Sequence, residues 1–395
     1  MAGSSTTPAL ATMPTEIVCM IGAHLSIYVI KAWTLVSKRF RNIFLSQICK
    51  HIKFSGNMEQ LENNILSYFR TATASFRNVV HHNIRCVTFD VQPFNNPWSL
   101  RAWARVVRHS PIRLSQIGQF MISNPNIHRV AFNTDFGERM KEIRLFVKLV
   151  EAGPRWPNVK NLSIQSPEMH GGLTRAVVRK LEQGALRTLS TYSNFFFTTA
   201  GTMPGPWFAN VTSLSLRRQA RKDWLWVSPF SDSVIAGLDA DLLTQIHTSF
   251  PKLESLVLYD GILDDRSGNG PLANSTIVVL VIMDAVSTLK KMQSLRRFAF
   301  DFDKSRLDPN AISVLEQAPS AFNKMIRDKF EDDAVAECIL LSLLASHVST
   351  LEEICMTSQY PDFYRVTRRD GELDIGRDSF DDPSQKYLFS SALMG

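Results

Sequence analysis

Residues 127–132 read "IHRVAF", an apolar residue, two intervening positions, a second apolar residue, one position and a third. Side chains alternate across a pleated strand, so Val130 and Phe132 would share a buried face while Arg129 and Ala131 point the other way. Ile127, three residues earlier, would tuck in where the chain turns onto the strand. The phrase returns as "IRCVTF" (84–89), "VKNLSI" (159–164), "LRTLST" (186–191), "VTSLSL" (211–216), "LESLVL" (253–258), "LRRFAF" (295–300) and "LEEICM" (351–356). The tripeptides "NPN", "WPN", "FAN" and "FPK" introduce four of the copies. The copy ending in Thr191 fits the pattern least well.

Between the copies lie helical patterns: "LRAWARVVRHS" (100–110), "MKEIRLFVKLVE" (140–151), "LTRAVVRKLEQ" (173–183), "ADLLTQIHTSF" (240–250) and "VLVIMDAVSTLKKM" (279–292). Consecutive parallel strands need such crossovers. The spacing between copies is uneven, so the pattern predicts an irregular α/β solenoid, with an open α/β sheet as the alternative. The positions between the buried ones, Ser213, Ser215, Ser255, Val257, Ala299 and Cys355 among them, are small and suit a face left open to water. On that face Tyr192, Arg217 and Tyr259 stand out as candidate substrate-binding residues, because Tyr and Arg are enriched in binding hot spots. Two Gly- and Pro-rich stretches, 198–207 and 260–272, are candidate specificity loops.

At 395 residues, 45% hydrophobic and 21% charged, the composition is that of a folded, soluble protein. The longest apolar run, Ile277 to Met283, is far short of the ~20 residues that cross a bilayer. The first residues lack the basic and apolar regions of a signal peptide. Five scattered cysteines without a C-x-x-C pair read as reduced thiols, and the expectation is an intracellular protein, cytoplasmic or nuclear. Charge is uneven: net +5 over residues 1–56, +10 over 57–300 and −8 over 301–395. The basic middle has no block of Lys/Arg interleaved with aromatics beyond "RRQARKDW" (217–224), so nucleic acid is not the expected partner.

The N-terminal segment has its own pattern. Pro14 suits the first position of a helix and Glu16 complements its dipole, with Ile17, Ile21 and Leu25 along one stripe. "KAWTLVSKRFRNIF" (31–44), read as one helix, puts Trp33, Val36, Phe40 and Ile43 on one face and Lys38 and Arg41 on the other. So small a unit buries little apolar surface and calls for a partner.

These residues carry a family resemblance. "MPTEIVCMIGAHLSIYVIKAWTLVSKRFRNIF" (13–44) resembles an F-box: Met13-Pro14, then Glu16-Ile17, then Ile21 and Leu25, and the second half A-x-x-L-V-S-K-R-F-R. It departs from the family at Met13, where Leu is usual, and at Val29, where an Asp commonly stands. The expected fold class is therefore α/β: a small N-terminal helical F-box module (12–56) followed by an irregular leucine-rich-repeat-like solenoid (57–360). A disordered lead (1–11) and an acidic tail (361–395) complete it.

The resemblance implies docking on a Skp-type adaptor, and through it a cullin, in an SCF-type ubiquitin ligase. Pro14, Ile17, Ile21, Leu25, Val36 and Phe40 would supply apolar contacts, and Lys38, Arg39 and Arg41 would steer an acidic adaptor. An unidentified protein substrate would sit on the repeats. The alternatives are an adaptor-bound or stand-alone scaffold that ubiquitinates nothing. No catalytic residue, metal site or cofactor is expected, because H-E-x-x-H, G-x-x-x-x-G-K-S/T, G-x-S-x-G and paired-Cys spacings are all absent. "EDD" (331–333) reads as the acidic start of a helix.

Overall fold

The computed structural model describes residues 12–25, 27–94, 96, 99, 101, 104–105, 116–134, 140–165, 172–192, 207–218, 238–260, 275–301, 335–359, 362–369 and 371–379. The helix expected over 100–110, the two Gly/Pro-rich stretches, the lead, and 331–333 fall largely or wholly outside them. The chain divides into two compact units, Met1–Val159 and Lys160–Gly395.

The first unit opens with three helices, α1 (Thr15–Ala23), α2 (Ile27–Val36) and α3 (Lys38–Ile48). Then come β1 (His51–Gly56), α4 (Met58–Thr71), α5 (Ala74–Asn83), β2 (Cys86–Val91), α6 (Gln116–Ser123), β3 (Arg129–Thr134) and α7 (Met140–Ala152). β1, β2 and β3 pair in parallel and in chain order, with His51, Cys86 and Arg129 in one row. Phe54, Phe89 and Phe132 occupy another row and stack at 6.0 and 5.2 Å. Phe120 of α6 meets Phe54 edge-on at 5.0 Å, and Phe146 of α7 meets Phe132 at 6.0 Å, so these helices cover the phenylalanine face. The step from β1 into α4 is tight: Gly56 has φ of 136°, and Asn57 and Gln60 form a reciprocal capping box.

The second unit contains β4 (Asn161–Gln165), α8 (Gly172–Val178), β5 (Thr188–Tyr192), β6 (Ser213–Arg218) and α9 (Ala240–Ser249). It continues with β7 (Ser255–Asp260), α10 (Ser275–Lys291), β8 (Arg297–Asp301), α11 (Val335–His347) and β9 (Glu353–Gln359). β4 to β9 pair in parallel, each with the next in sequence. β10 (Asp362–Arg369) and β11 (Glu372–Ser379) close the unit as antiparallel strands.

Every copy of the repeated phrase is a strand entry. Its first apolar residue, Ile84, Ile127, Val159, Leu186, Val211, Leu253, Leu295 or Leu351, is at most 2% exposed. The turn onto the strand has a shared backbone geometry. Two successive amides donate to one carbonyl at the entry to the preceding strand: Arg85 and Cys86 to Lys50, His128 and Arg129 to Arg85, Thr212 and Ser213 to Arg187, Arg296 and Arg297 to Glu254. The introducing tripeptides have a function of the same kind. Asn126 of "NPN" donates to the His81 carbonyl (2.9 Å), Asn158 of "WPN" to Pro125 (2.8 Å) and Asn210 of "FAN" to Gly184 (3.0 Å). Lys252 of "FPK" reaches back to Asn210 Oδ1 at 2.8 Å.

Two expectations change. Within the stretch 361–395, expected as an acidic tail, Asp362–Ser379 is a hairpin in which Val366 pairs with Ile375 and both are buried. Its apolar residues Phe363, Val366 and Ile375 are buried among charged neighbours, and net charge alone concealed them. The face expected to be open to water is closed over β6 to β9, where Ser213, Ser215, Ser255, Val257, Ala299 and Cys355 are all buried. Their small size is that of residues under close cover, as in parallel sheets buried on both faces.

If the asparagine bridges tie one copy to the next, Asn158→Ala should cost about 1 kcal/mol in urea denaturation. A change indistinguishable from zero would show that water replaces the bond at no cost.

Candidate protein-docking surfaces

The three N-terminal helices enclose a small core of Val18, Ile30, Phe40 and Phe44, with Met13, Leu25, Trp33, Ile43 and Ile48 packed against it. Trp33, Phe40 and Phe44 touch one another, with centroids 5.3 to 6.4 Å apart. α1 can approach α3 because residue 22 is glycine: a β-carbon there would lie 2.2 Å from Phe44 Cε1. Pro14 stands just ahead of α1, one residue earlier than expected, and its carbonyl accepts from Val18 N at 3.1 Å.

The stretch 31–44 is two helices, not one. Ser37 caps α3, its Oγ accepting from Phe40 N, and the chain bends there. Arg41 Nε donates to the Thr34 carbonyl at 3.0 Å and satisfies an end group of α2. Arg39 donates to the Met13 carbonyl and fastens the start of α1. Both arginines therefore hold the module together, a role that the face-by-face reading of the sequence missed.

The bend separates residues that a single helix would have aligned. Phe40 turns inward to the core, whereas Val36 turns outward and is 80% exposed. Of the other expected adaptor-binding residues, Ile17 and Pro14 are exposed, Ile21 and Leu25 are half-buried, and Lys38 and Arg41 are exposed. The structure adds Met20, Ile27, Val29 and Leu35 to the outer surface, Leu35 at 79%. Six of the ten exposed large apolar residues among those described lie between 17 and 36, which concentrates them on α1 and α2. The sequence carried a signal for this. "IYVIKAWTLV" is apolar around most of its circumference, and a ten-residue helix with one inward stripe must leave the rest outside.

In the second unit the three residues singled out for a substrate come together. Tyr192 pairs with Arg217 and Arg217 with Tyr259, so they form one row across β5, β6 and β7. They stand toward the C-terminal ends of parallel strands, where ligands of open α/β sheets commonly bind. Arg217 is exposed.

Electrostatics distinguishes the first unit. His51 Nε2 lies 2.8 Å from Thr88 Oγ1, and its pKa is pushed below the ordinary value, first by burial and then by Lys31, Arg129 and Lys53. His128 is lowered too, chiefly by burial, with Arg129 and Arg85 adding to it against hydrogen bonds that act the other way. Burial raises the Cys86 thiol, which argues against a reactive thiolate there. Among the described residues no group of three or more His, Cys, Asp or Glu could hold a metal ion, and no helix is long and apolar enough to cross a membrane.

No protein-family model matches the chain, and no curated protein matches it either.

Two outcomes follow from this geometry. Gly22→Ala gains helix propensity but drives a methyl into the buried Phe44 ring; the clash should win and cost about 1–3 kcal/mol, read as a lowered urea midpoint. The two histidines are easier to protonate in the unfolded chain than in the folded one. Stability should therefore fall as pH drops through about 6.5, and the His51→Gln, His128→Gln double variant should lose less between about pH 7.5 and 5.5.

Proposed function

We propose that the protein is a non-catalytic recognition subunit whose N-terminal helices dock on a Skp-type adaptor of an SCF-type ubiquitin ligase. Its repeated strands form a leucine-rich-repeat-like solenoid that holds a protein target. The observation that carries this reading is the concentration of exposed apolar side chains on α1 and α2, beside the exposed cations Lys38 and Arg41. A helical module in contact only with itself gains nothing from Leu35 and Val36 in water. Buried in a partner's groove, each contributes about 1.5–3 kcal/mol. The cations speed encounter with an acidic adaptor and make it sensitive to salt. The F-box resemblance of residues 13–44 supports the choice of adaptor, and for a target the exposed Arg217, in register with residues 192 and 259, is a hot-spot residue type.

Co-expression with a Skp-type adaptor followed by size-exclusion chromatography tests the reading. The parent should co-elute with the adaptor. The Leu35→Glu, Val36→Glu variant should elute alone with an unchanged melting temperature, because neither side chain belongs to the internal core. A parent that elutes alone removes the adaptor from the account.

A further inference from the structure

The face of β1 to β3 opposite the phenylalanines is a second charged surface. Register places His51, Cys86 and Arg129 in its first row, Lys53, Thr88 and Ala131 in the next, and Ser55, Asp90 and Asn133 in the third. His51, Lys53 and Ser55 are exposed, and most of the others are half-buried. Lys31 of α2 joins His51, Lys53 and Arg129: after desolvation of the ring, which is the larger cause, Lys31, Arg129 and Lys53 each lower the basicity of the imidazole further, as like charges close to one spot do. The only carboxylate in the three rows is Asp90, engaged by Lys53 Nζ at 2.8 Å.

The spacing indicates what such a cluster can bind. Neighbouring strands lie about 4.8 Å apart and like-facing residues along a strand about 7 Å apart, so Lys53 and Arg129 are separated by roughly 12 Å, with His51 between them about 7 Å from Lys53 and about 10 Å from Arg129. An extended polypeptide presents its side chains on one side every ~7 Å, which places carboxylates at alternate positions within reach of successive cations. Single-stranded nucleic acid would want a series of aromatic platforms, and none of the nine positions is Phe, Tyr or Trp. A duplex-binding protein spreads about 6–10 phosphate contacts, more than this patch supplies.

We propose that an extended acidic polypeptide segment, with Asp or Glu at alternate positions, binds across β1 to β3 on Lys31, His51, Lys53 and Arg129. Its charge complements the face, and the small side chains of Cys86, Thr88 and Ala131 leave room for a backbone to lie flat. The proposal does not rest on adaptor docking, and its test needs no adaptor.

The probe is a fluorescein-labelled twelve-residue peptide alternating glutamate and serine, titrated with the full chain at low salt and followed by anisotropy. A glutamine–serine peptide of the same length and a twelve-nucleotide oligothymidylate are run beside it. The acidic peptide should bind, and the glutamine peptide should not. Lys31→Gln and Lys53→Gln, both at exposed positions that leave the fold intact, should each weaken binding about tenfold. Arg217→Gln on β6 should leave it unchanged. The proposal is overturned if the acidic peptide does not bind, if it binds no better than the glutamine peptide, or if the two lysine variants bind it as the parent does. Tighter binding of the oligothymidylate overturns it as well and marks the face as a nucleic-acid surface.

Discussion

The close approach of Phe44 to Gly22 decides how the N-terminal module presents itself. With no β-carbon at residue 22, the ring seats directly against the backbone of α1 and draws α1 and α3 together. Val18, Ile30 and Phe40 fill what space remains, and the core is then complete. α1 has nine residues and α2 has ten, so each offers only one inward stripe. The apolar side chains left over have nowhere inside to go. The exposed surface on these helices is thus a consequence of a small core that is already full. Ser37 sharpens the effect by ending α2 and restarting the chain at a new angle, which sends Phe40 in and Val36 out.

The strands rest on a different constraint. A parallel strand cannot hand its hydrogen bonds to the next until the chain has crossed back, and each return must start in the same register. Here register is fixed at the entry turn, where one carbonyl accepts from two successive amides of the following copy. The buried apolar residue at the head of each phrase holds that turn down, and Asn126, Asn158 and Asn210 stitch it to the copy before. Uneven lengths of chain between the strands are tolerated because nothing in this device depends on them. The same register brings Tyr192, Arg217 and Tyr259 into one row although roughly twenty-five to forty residues separate each from the next.

Much of this was legible in the sequence, and what was not has a physical cause. All eight phrases are strands because alternation is a short-range property that six residues can carry. α7, α9 and α10 were legible from their periodicity for the same reason. The break at Ser37 was hidden because Trp33, Val36, Phe40 and Ile43 satisfy helical spacing straight through it; a Ser three residues ahead of Phe40 was the available signal. Arg39 and Arg41 looked like surface charge because their carbonyl partners, Met13 and Thr34, are backbone groups that no pattern of side chains reveals. The open face was misjudged for a related reason. A small residue such as Ser255 or Ala299 fits equally well under water or under tight cover, and only the structure shows which.

Hydrogen–deuterium exchange of the full chain, alone and mixed with a Skp-type adaptor, tests the central claim most directly. The account predicts slowed exchange in peptides spanning Thr15–Ala23 and Ile27–Val36, with β5 to β7 unchanged. Unchanged exchange across both helices, or protection confined to the strands, would contradict it.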